Sequence, residues 1–301
     1  MYKKTRTRLK QILRKKTKRI TKKMIKGGKL ITIIDEEIGR GTHGTIYTHK
    51  YNKGHVIKVF KNEHRGEKCN EIKENEFDIQ KKIYNGVKKT DCKIIIPSVY
   101  RFILEREDCY YNMDRIFPID GKIIIVDMYQ DDIEQKFSHS KYGITQSYNK
   151  IDFTDCDVEN PIELSFEIGK LFSYLHFVLQ YDGYDCELIM GKTHDDEKRI
   201  FLVDFDKVSS FVFDLEKDYI VYRKLDETSS KQERHIKTEN NIARLLFTAM
   251  NSMSLIPVKG ELLERFIEGY ETFLNPENEF EKRIFELVKE IIFDYAYNSQ
   301  L

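Results

Sequence analysis

The sequence predicts an α+β chain of two unlike halves, a small β-rich first part with one helix and a mainly helical second part. Three observations predict it. Short β-branched and aromatic runs separated by turn residues fill the first 117 residues, interrupted by one longer polar stretch with helical spacing. From Pro161 onward apolar residues recur every three or four positions. Between two of the early strands stands a glycine-rich stretch, Gly39-Arg40-Gly41-Thr42-His43-Gly44.

The elements follow in order. Residues 1–28 form a basic arm ending at Gly27-Gly28. Residues 1–30 hold 14 of the 51 Lys and Arg and no acid. The other 271 residues therefore hold 37 basic and 50 acidic side chains, a balance of −13 beneath the net charge of +1. Leu9, Ile12, Leu13, Ile20 and Met24 give the arm a partial helical stripe. Such an arm suits an anionic partner, either nucleic acid or a membrane surface, or an import receptor. The plain alternative is a tail lying on the acidic body. A mitochondrial presequence is a further alternative, although such segments are usually richer in Arg and Ser than this Lys-heavy stretch.

Residues 29–117 make the first lobe. Leu30–Ile34 and Thr45-Ile46-Tyr47 read as strands, Asn52-Lys53-Gly54 as a turn, and His55–Phe60 as a third strand. Cys69–Tyr84 reads as a helix with Ile72, Phe77, Ile79 and Ile83 on one face. Ile94-Ile95-Ile96 and Tyr110–Ile116 read as two further strands. Residues 118–301 make the second lobe. Asp120-Gly121 is a hairpin turn before a strand at Ile123–Tyr129, and residues 130–160 read as polar and irregular. Ile162–Leu179 reads as a helix, Leu188–Met190 and Ile200–Val203 as short strands, and roughly 238–252, 260–273 and 278–296 as helices.

Composition narrows the class. With 301 residues, 40% of them hydrophobic and 34% charged, the chain reads as globular with a heavily solvated surface. No run of about 18 apolar residues predicts a membrane span, and the start has no apolar signal core. The five cysteines show no paired spacing, which predicts idle thiols in a reducing intracellular setting, cytoplasmic or nuclear. Scarce Ala with abundant Lys, Ile, Asn and Tyr suggests an AT-rich genome, that of a large DNA virus or a protist.

The chemistry begins at the glycines. Gly39, Gly41 and Gly44 let backbone amides approach phosphate oxygens without Cβ clashes. In a dinucleotide fold such glycines open a helix; here a strand follows. Lys58 lies mid-strand among apolar residues and needs an anion or solvent. Glu76, 18 residues on, has the best helix register to pair with it, with Glu71 and Glu74 as alternatives. Downstream, Asp182, Glu187 and Asp204-Phe205-Asp206 form an acidic set, the last directly after a strand. A carboxylate there suits Mg²⁺, which takes oxygen donors and leaves room for phosphate.

These residues together resemble the protein kinase superfamily over about 30–250. The resemblance implies a two-lobed protein-kinase-like fold with a β-rich N-lobe and a helical C-lobe. It implies ATP held by Gly39, Gly41, Gly44 and Lys58, the last paired with Glu76, with Met113-Asp114-Arg115-Ile116 as the hinge at the adenine. Gln180-Tyr181-Asp182 falls at the HRD triplet, making Asp182 the general base. Asp204 falls at the Asp of DFG and Glu187 at the catalytic-loop Asn, so these two would hold Mg²⁺ or Mn²⁺. The stretch Asp182-Gly183-Tyr184-Asp185-Cys186-Glu187 through Asp204-Phe205-Asp206-Lys207 also resembles a little-characterised group of atypical kinase-like proteins with D-G-x-D-x-E and DFD-K-like sequences. The chain departs from the family by lacking the His and Arg of HRD, by Glu187, by Asp206 in place of the DFG glycine, and by the missing A-P-E segment. The expected activity is phosphate transfer from ATP to a protein or small-molecule hydroxyl. The alternatives are a catalytically impaired pseudokinase acting as an interaction module, and anion binding through the arm.

Overall fold

Turn chemistry and strand alternation set the first sheet. The computed structural model describes residues 33–41, 43–60, 68–105, 108–128, 143–147, 151–214, 219–226, 229–236, 239–252 and 254–298. The basic arm, the strand reading at residues 30–32 and most of the irregular stretch at 130–150 lie outside these residues.

Strands β1 (Ile34–Arg40), β2 (Gly44–His49) and β3 (His55–Phe60) form an antiparallel meander. The expected turn at Asn52 is real, since the Asn52 side chain accepts from the Gly54 N–H at 3.0 Å. β4 (Val99–Glu105) and β5 (Asp108–Asp114) complete the sheet in the order β1-β2-β3-β5-β4. Ile57 and Val59 pack with Tyr110 on one face. Phe60 packs with Phe77, Val99 and Tyr111 on the other. Helix α1, residues 68–87 with a wider π-type turn at Lys73–Phe77, lies on this second face. Its Phe77 ring stands 5.5 Å from Tyr111 and 5.6 Å from Phe102.

The second part contains a four-stranded sheet, β7-β6-β8-β9, made of β6 (Ile123–Asp127), β7 (Gly143–Ser147), β8 (Glu187–Lys192) and β9 (Lys198–Val203). A further sheet follows, β10 (Ser210–Asp214), β11 (Tyr219–Asp226) and β12 (Ser229–Ile236). Around them stand α2 (residues 161–179), α3 (Glu239–Asn251), α4 (Gly260–Glu271) and α5 (Glu279–Asn298). α2 starts where the sequence signals it. Asn160 caps it by accepting from the Glu163 N–H at 3.0 Å, and Pro161 occupies the first turn.

α2 and α4 pack through small residues. Ser165 donates to the Leu262 carbonyl at 2.6 Å, and Ser173 accepts from the Phe273 N–H at 3.0 Å. Between them Gly169 faces Gly269. A Cβ on Gly169 would lie 2.1 Å from the Phe266 carbonyl oxygen, and one on Gly269 would lie 2.1 Å from that of Phe166. The main core runs along this seam through Leu164, Ile168, Phe172, Phe266 and Tyr270.

Several expectations are corrected. Ile94 and Ile96 are buried, but the run makes only one bridge, with the Ile95 N–H on the Ile200 carbonyl and the Leu202 N–H on the Ile95 carbonyl, both 2.9 Å. Pro97, which has no N–H, follows and cannot extend the pairing. The fourth strand is Val99–Glu105 instead. As an edge strand with Tyr100 and Leu104 exposed, it shows little alternation. The irregular stretch contains β7, held by parallel pairing to β6. The sheet of β10, β11 and β12 falls where the sequence reading assigned no element. The thiols are not all idle, because Cys69 and Cys109 form a disulfide with a Cα–Cα distance of 5.8 Å. Their separation of 40 residues carries no sequence signal for pairing; the seating of α1 on β5 creates it. No helix among the described residues is long and apolar enough to cross a membrane.

Gly169→Ala or Gly269→Ala forces the two helices apart and costs about 3 kcal/mol, read as a lowered urea midpoint. Gly41→Ala, whose Cβ would meet nothing within 4 Å, leaves that midpoint nearly unchanged.

Candidate functional site

A cavity of ≈ 830 Å³ opens between the first sheet and the β8–β9 hairpin, and its wall contains most of the residues the sequence singled out. The glycine stretch is its roof. The Gly41 N–H donates to the Gly44 carbonyl at 2.9 Å, closing a tight turn between β1 and β2. A Cβ on Gly44 would stand 3.0 Å from the Val59 carbonyl oxygen and 3.4 Å from Lys58 Cγ. Glycine is therefore needed where β2 crosses close over the lysine strand.

Register aims the next side chains. β3 and β5 pair Lys58 with Tyr111 and Val56 with Met113, so all four line the cavity. Lys58 Nζ makes an ion pair with Glu76 Oε1, and the Tyr111 hydroxyl donates to the same oxygen at 2.6 Å. Burial lowers the Lys58 pKa, but the charges of Glu76 and Asp204 more than offset this and the net shift is upward. α1 is held in place for this by Gln80, which donates to the Pro97 carbonyl at 2.9 Å.

The strand end at Met113-Asp114-Arg115-Ile116 forms the opposite wall. The Asp114 carboxylate accepts from the Ser98 N–H at 2.9 Å and from the Tyr100 hydroxyl. The Arg115 N–H donates to the Gly54 carbonyl at 2.8 Å. Arg115 Nε is enclosed without a hydrogen-bond partner.

Asp185, Glu187, Asp204 and Asp206 line the floor. Asp185 and Asp204 both have left-handed backbones, each with φ of 64°, a conformation Asp tolerates better than most residues. Asp204 faces the open cavity but is walled by protein behind. Its pKa is pushed up to about 7, first by desolvation, then by Asp206, Glu76 and Glu187, with Lys58 opposing. Cavity water softens this push without reversing it. Glu187 is raised too, by burial and by Asp185 and Asp206. Among the described residues no three His, Cys, Asp or Glu converge to chelate an ion alone. Carboxylates that raise one another's pKa beside an open cavity are still a donor set that fits Mg²⁺, which is commonly held by one or two carboxylates with phosphate and water completing its shell.

Asp182 is elsewhere. It is 0% exposed and is not part of the cavity wall. Its carboxylate accepts from the Ser209 N–H at 2.8 Å and the Tyr184 N–H at 3.1 Å. Its own N–H donates to the Ser209 carbonyl at 3.0 Å. This ties the loop after α2 to the chain leaving Asp204-Phe205-Asp206. Gly183, with φ of 65°, is packed so closely that a Cβ would lie 2.8 Å from Phe172. A solvent-facing base at Asp182 is therefore not what the packing provides.

Four groups have a place in the structure to which the sequence reading assigned no role. His43, at the tip of the glycine turn, pairs through Nδ1 with Asp206 across the cavity. Tyr111 completes the Lys58–Glu76 pair. Asp185 faces the cavity and pairs with Lys207 at 2.5 Å. His176 is fully buried, with Nε2 3.1 Å from the Asp182 carbonyl and Nδ1 2.8 Å from the Tyr270 hydroxyl. A carbonyl only accepts, so Nε2 carries the proton and Nδ1 accepts from Tyr270. The glycine spacing flagged the turn containing His43, and the D-G-x-D-x-E stretch contains Asp185; Tyr111 and His176 carried no local signal.

Burial lowers the His176 pKa to about 4, against an ordinary 6.5. The unfolded chain binds this proton first, so stability is intact above pH 6.5 and falls as pH drops toward 4, by up to about 3 kcal/mol. His176→Gln flattens that window in denaturation curves taken against pH. Asp204 has the opposite sign, since its raised pKa makes the folded state lose stability as pH rises from about 4 to 7. Asp204→Asn raises the melting temperature of the ligand-free protein by a few degrees, and the gap from the parent widens across that range.

No protein-family model matches the chain, and no curated protein matches it. Among solved structures it is similar to one described as the crystal structure of a kinase domain. The two are 14% identical, the match covers 91% of this chain and 96% of that one, and the TM-score is 0.36.

Proposed function

We propose that this chain is a kinase-like protein that binds ATP with Mg²⁺ or Mn²⁺ in the ≈ 830 Å³ cavity and transfers the γ-phosphate to a protein or small-molecule hydroxyl. The observation that carries this reading is the Lys58–Glu76 ion pair, placed beneath a glycine turn and within electrostatic reach of Asp204 in one cavity. A lysine already matched by a carboxylate stays charged and aimed, ready to meet α- and β-phosphate oxygens. Gly39, Gly41 and Gly44 keep the roof low enough for backbone approach. Met113 and Arg115 border the end where the base would lie. Asp204 and Glu187 would hold the divalent cation, which when bound neutralises phosphate charge. The protein supplies position and a preorganised charge pattern.

A second reading, the pseudokinase, is favoured by one observation. Asp182, expected as the base, is enclosed and bonded to backbone amides.

Radiolabelled ATP with Mg²⁺ or Mn²⁺ separates the readings. Metal-dependent transfer or hydrolysis, lost by about 100-fold or more in Lys58→Ala and in Asp204→Asn, supports the transferase. Nucleotide-dependent thermal stabilisation without turnover supports the pseudokinase. Absence of both overturns nucleotide binding itself.

A further inference from the structure

We propose that Asp185, not Asp182, is the catalytic carboxylate on the acceptor side, with Lys207 as its positioning partner. The inference rests on the transferase reading above and extends it to a residue to which the sequence reading assigned no role.

Two acids stand three residues apart, and packing sorts them. Asp182 is enclosed, and the Ser209 and Tyr184 amides bind its carboxylate. Rotating it toward an acceptor would leave two backbone N–H groups without that partner, which is costly for donors enclosed by protein. Asp185 differs in each respect. Its side chain is 29% exposed and lines the cavity that contains Lys58 and Asp204. One oxygen, Oδ2, accepts from Lys207 Nζ at 2.5 Å; among the described residues Oδ1 has no hydrogen-bond partner. Its backbone is left-handed, with φ of 64°, and its N–H donates to Ser252 Oγ at 3.2 Å. A non-glycine residue held in that conformation persists where its surroundings fix it, a pattern that recurs at functional sites.

The location also fits an acceptor. A second cavity of ≈ 240 Å³ is lined by Asp127, Glu187, Ser252 and Ser254. Glu187 belongs to both cavities, and Ser252 is the residue that holds the Asp185 N–H. Asp185 thus lines the first cavity and is held by a residue that lines the second, whose wall joins these polar groups to Ile125, Val126 and Leu188.

The step balances as follows. The acceptor hydroxyl donates a hydrogen bond to Asp185 Oδ1. As its oxygen bonds to the γ-phosphorus, the bond from that phosphorus to the β,γ-bridging oxygen breaks, and its electron pair leaves on the nucleoside diphosphate. The hydroxyl proton passes to Asp185. Lys207, 45% exposed and adjacent to Asp206, keeps the carboxylate turned toward the phosphate side.

The test uses the full chain with radiolabelled ATP and Mg²⁺, scoring label on the chain itself and released phosphate, beside nucleotide-induced thermal shift. Asp185→Asn is expected to lower kcat by about 100-fold or more, with KM for ATP and the thermal shift retained. Lys207→Met, at an exposed and fold-tolerant position, is expected to lower kcat by about tenfold with KM unchanged. Asp182→Asn is expected to lower the melting temperature while its folded fraction keeps turnover within about threefold of the parent. Unchanged turnover in folded Asp185→Asn overturns the proposal, as does a folded but inactive Asp182→Asn beside an active Asp185→Asn. If Asp185→Asn does not fold, Lys207→Met decides, and its unchanged kcat overturns the proposal. A parent protein that binds nucleotide without turnover overturns the transferase reading and this inference together. Turnover in the parent that ignores Asp185 and Lys207 overturns this inference alone.

Discussion

A charged lysine in the middle of an apolar strand is the constraint around which the first part is arranged. Lys58 lies between Ile57 and Val59, both buried, and cannot be left alone there. Desolvating an ammonium costs several kcal/mol unless a partner and further hydrogen bonds meet it. Glu76 supplies the partner only if α1 lies against the sheet in one register. Tyr111, Gln80 and the Cys69–Cys109 link all serve that seating. The pair therefore specifies where the helix sits more than it adds to stability, and the same arrangement points the lysine into the cavity.

The second part has an organising carboxylate of its own, in Asp182. It accepts from Ser209 and Tyr184, and its carbonyl accepts from His176, which in turn receives the Tyr270 hydroxyl. One buried network thus joins α2, α4, the loop after α2 and the start of β10. Full satisfaction makes such a network rigid, and half satisfaction would make it a liability. Its consequence lies at the floor of the cavity. With Ser209 fixed, Asp204-Phe205-Asp206 is held in place, and Asp204 and Asp185 can keep left-handed backbones. The acidic floor that results repels itself, and this is the property a divalent cation with phosphate would relieve.

The amino-acid sequence by itself determined the two-part character, the turn at Asn52, the strands around Lys58, the helix that begins after Pro161 and the three late helices. Each rests on local chemistry: alternation, caps, turn residues, or the 3.6 period. It also paired Lys58 with Glu76 correctly, because a lone strand lysine and a carboxylate in helix register leave few other solutions. Only the tertiary structure decided the rest. The edge strand β4, the parallel strand β7, the β10–β12 sheet and the Cys69–Cys109 bond depend on partners distant in the chain. So does the placement of Asp182 and Asp185, the first enclosed and the second on the cavity wall. In sequence both are loop aspartates near a glycine, and nothing local tells which of them is enclosed. Burial among Ser209, Tyr184 and His176 commits the first to structure, and the turn at Gly183 carries the second to the cavity wall, because exposure is a property of packing and not of residue type.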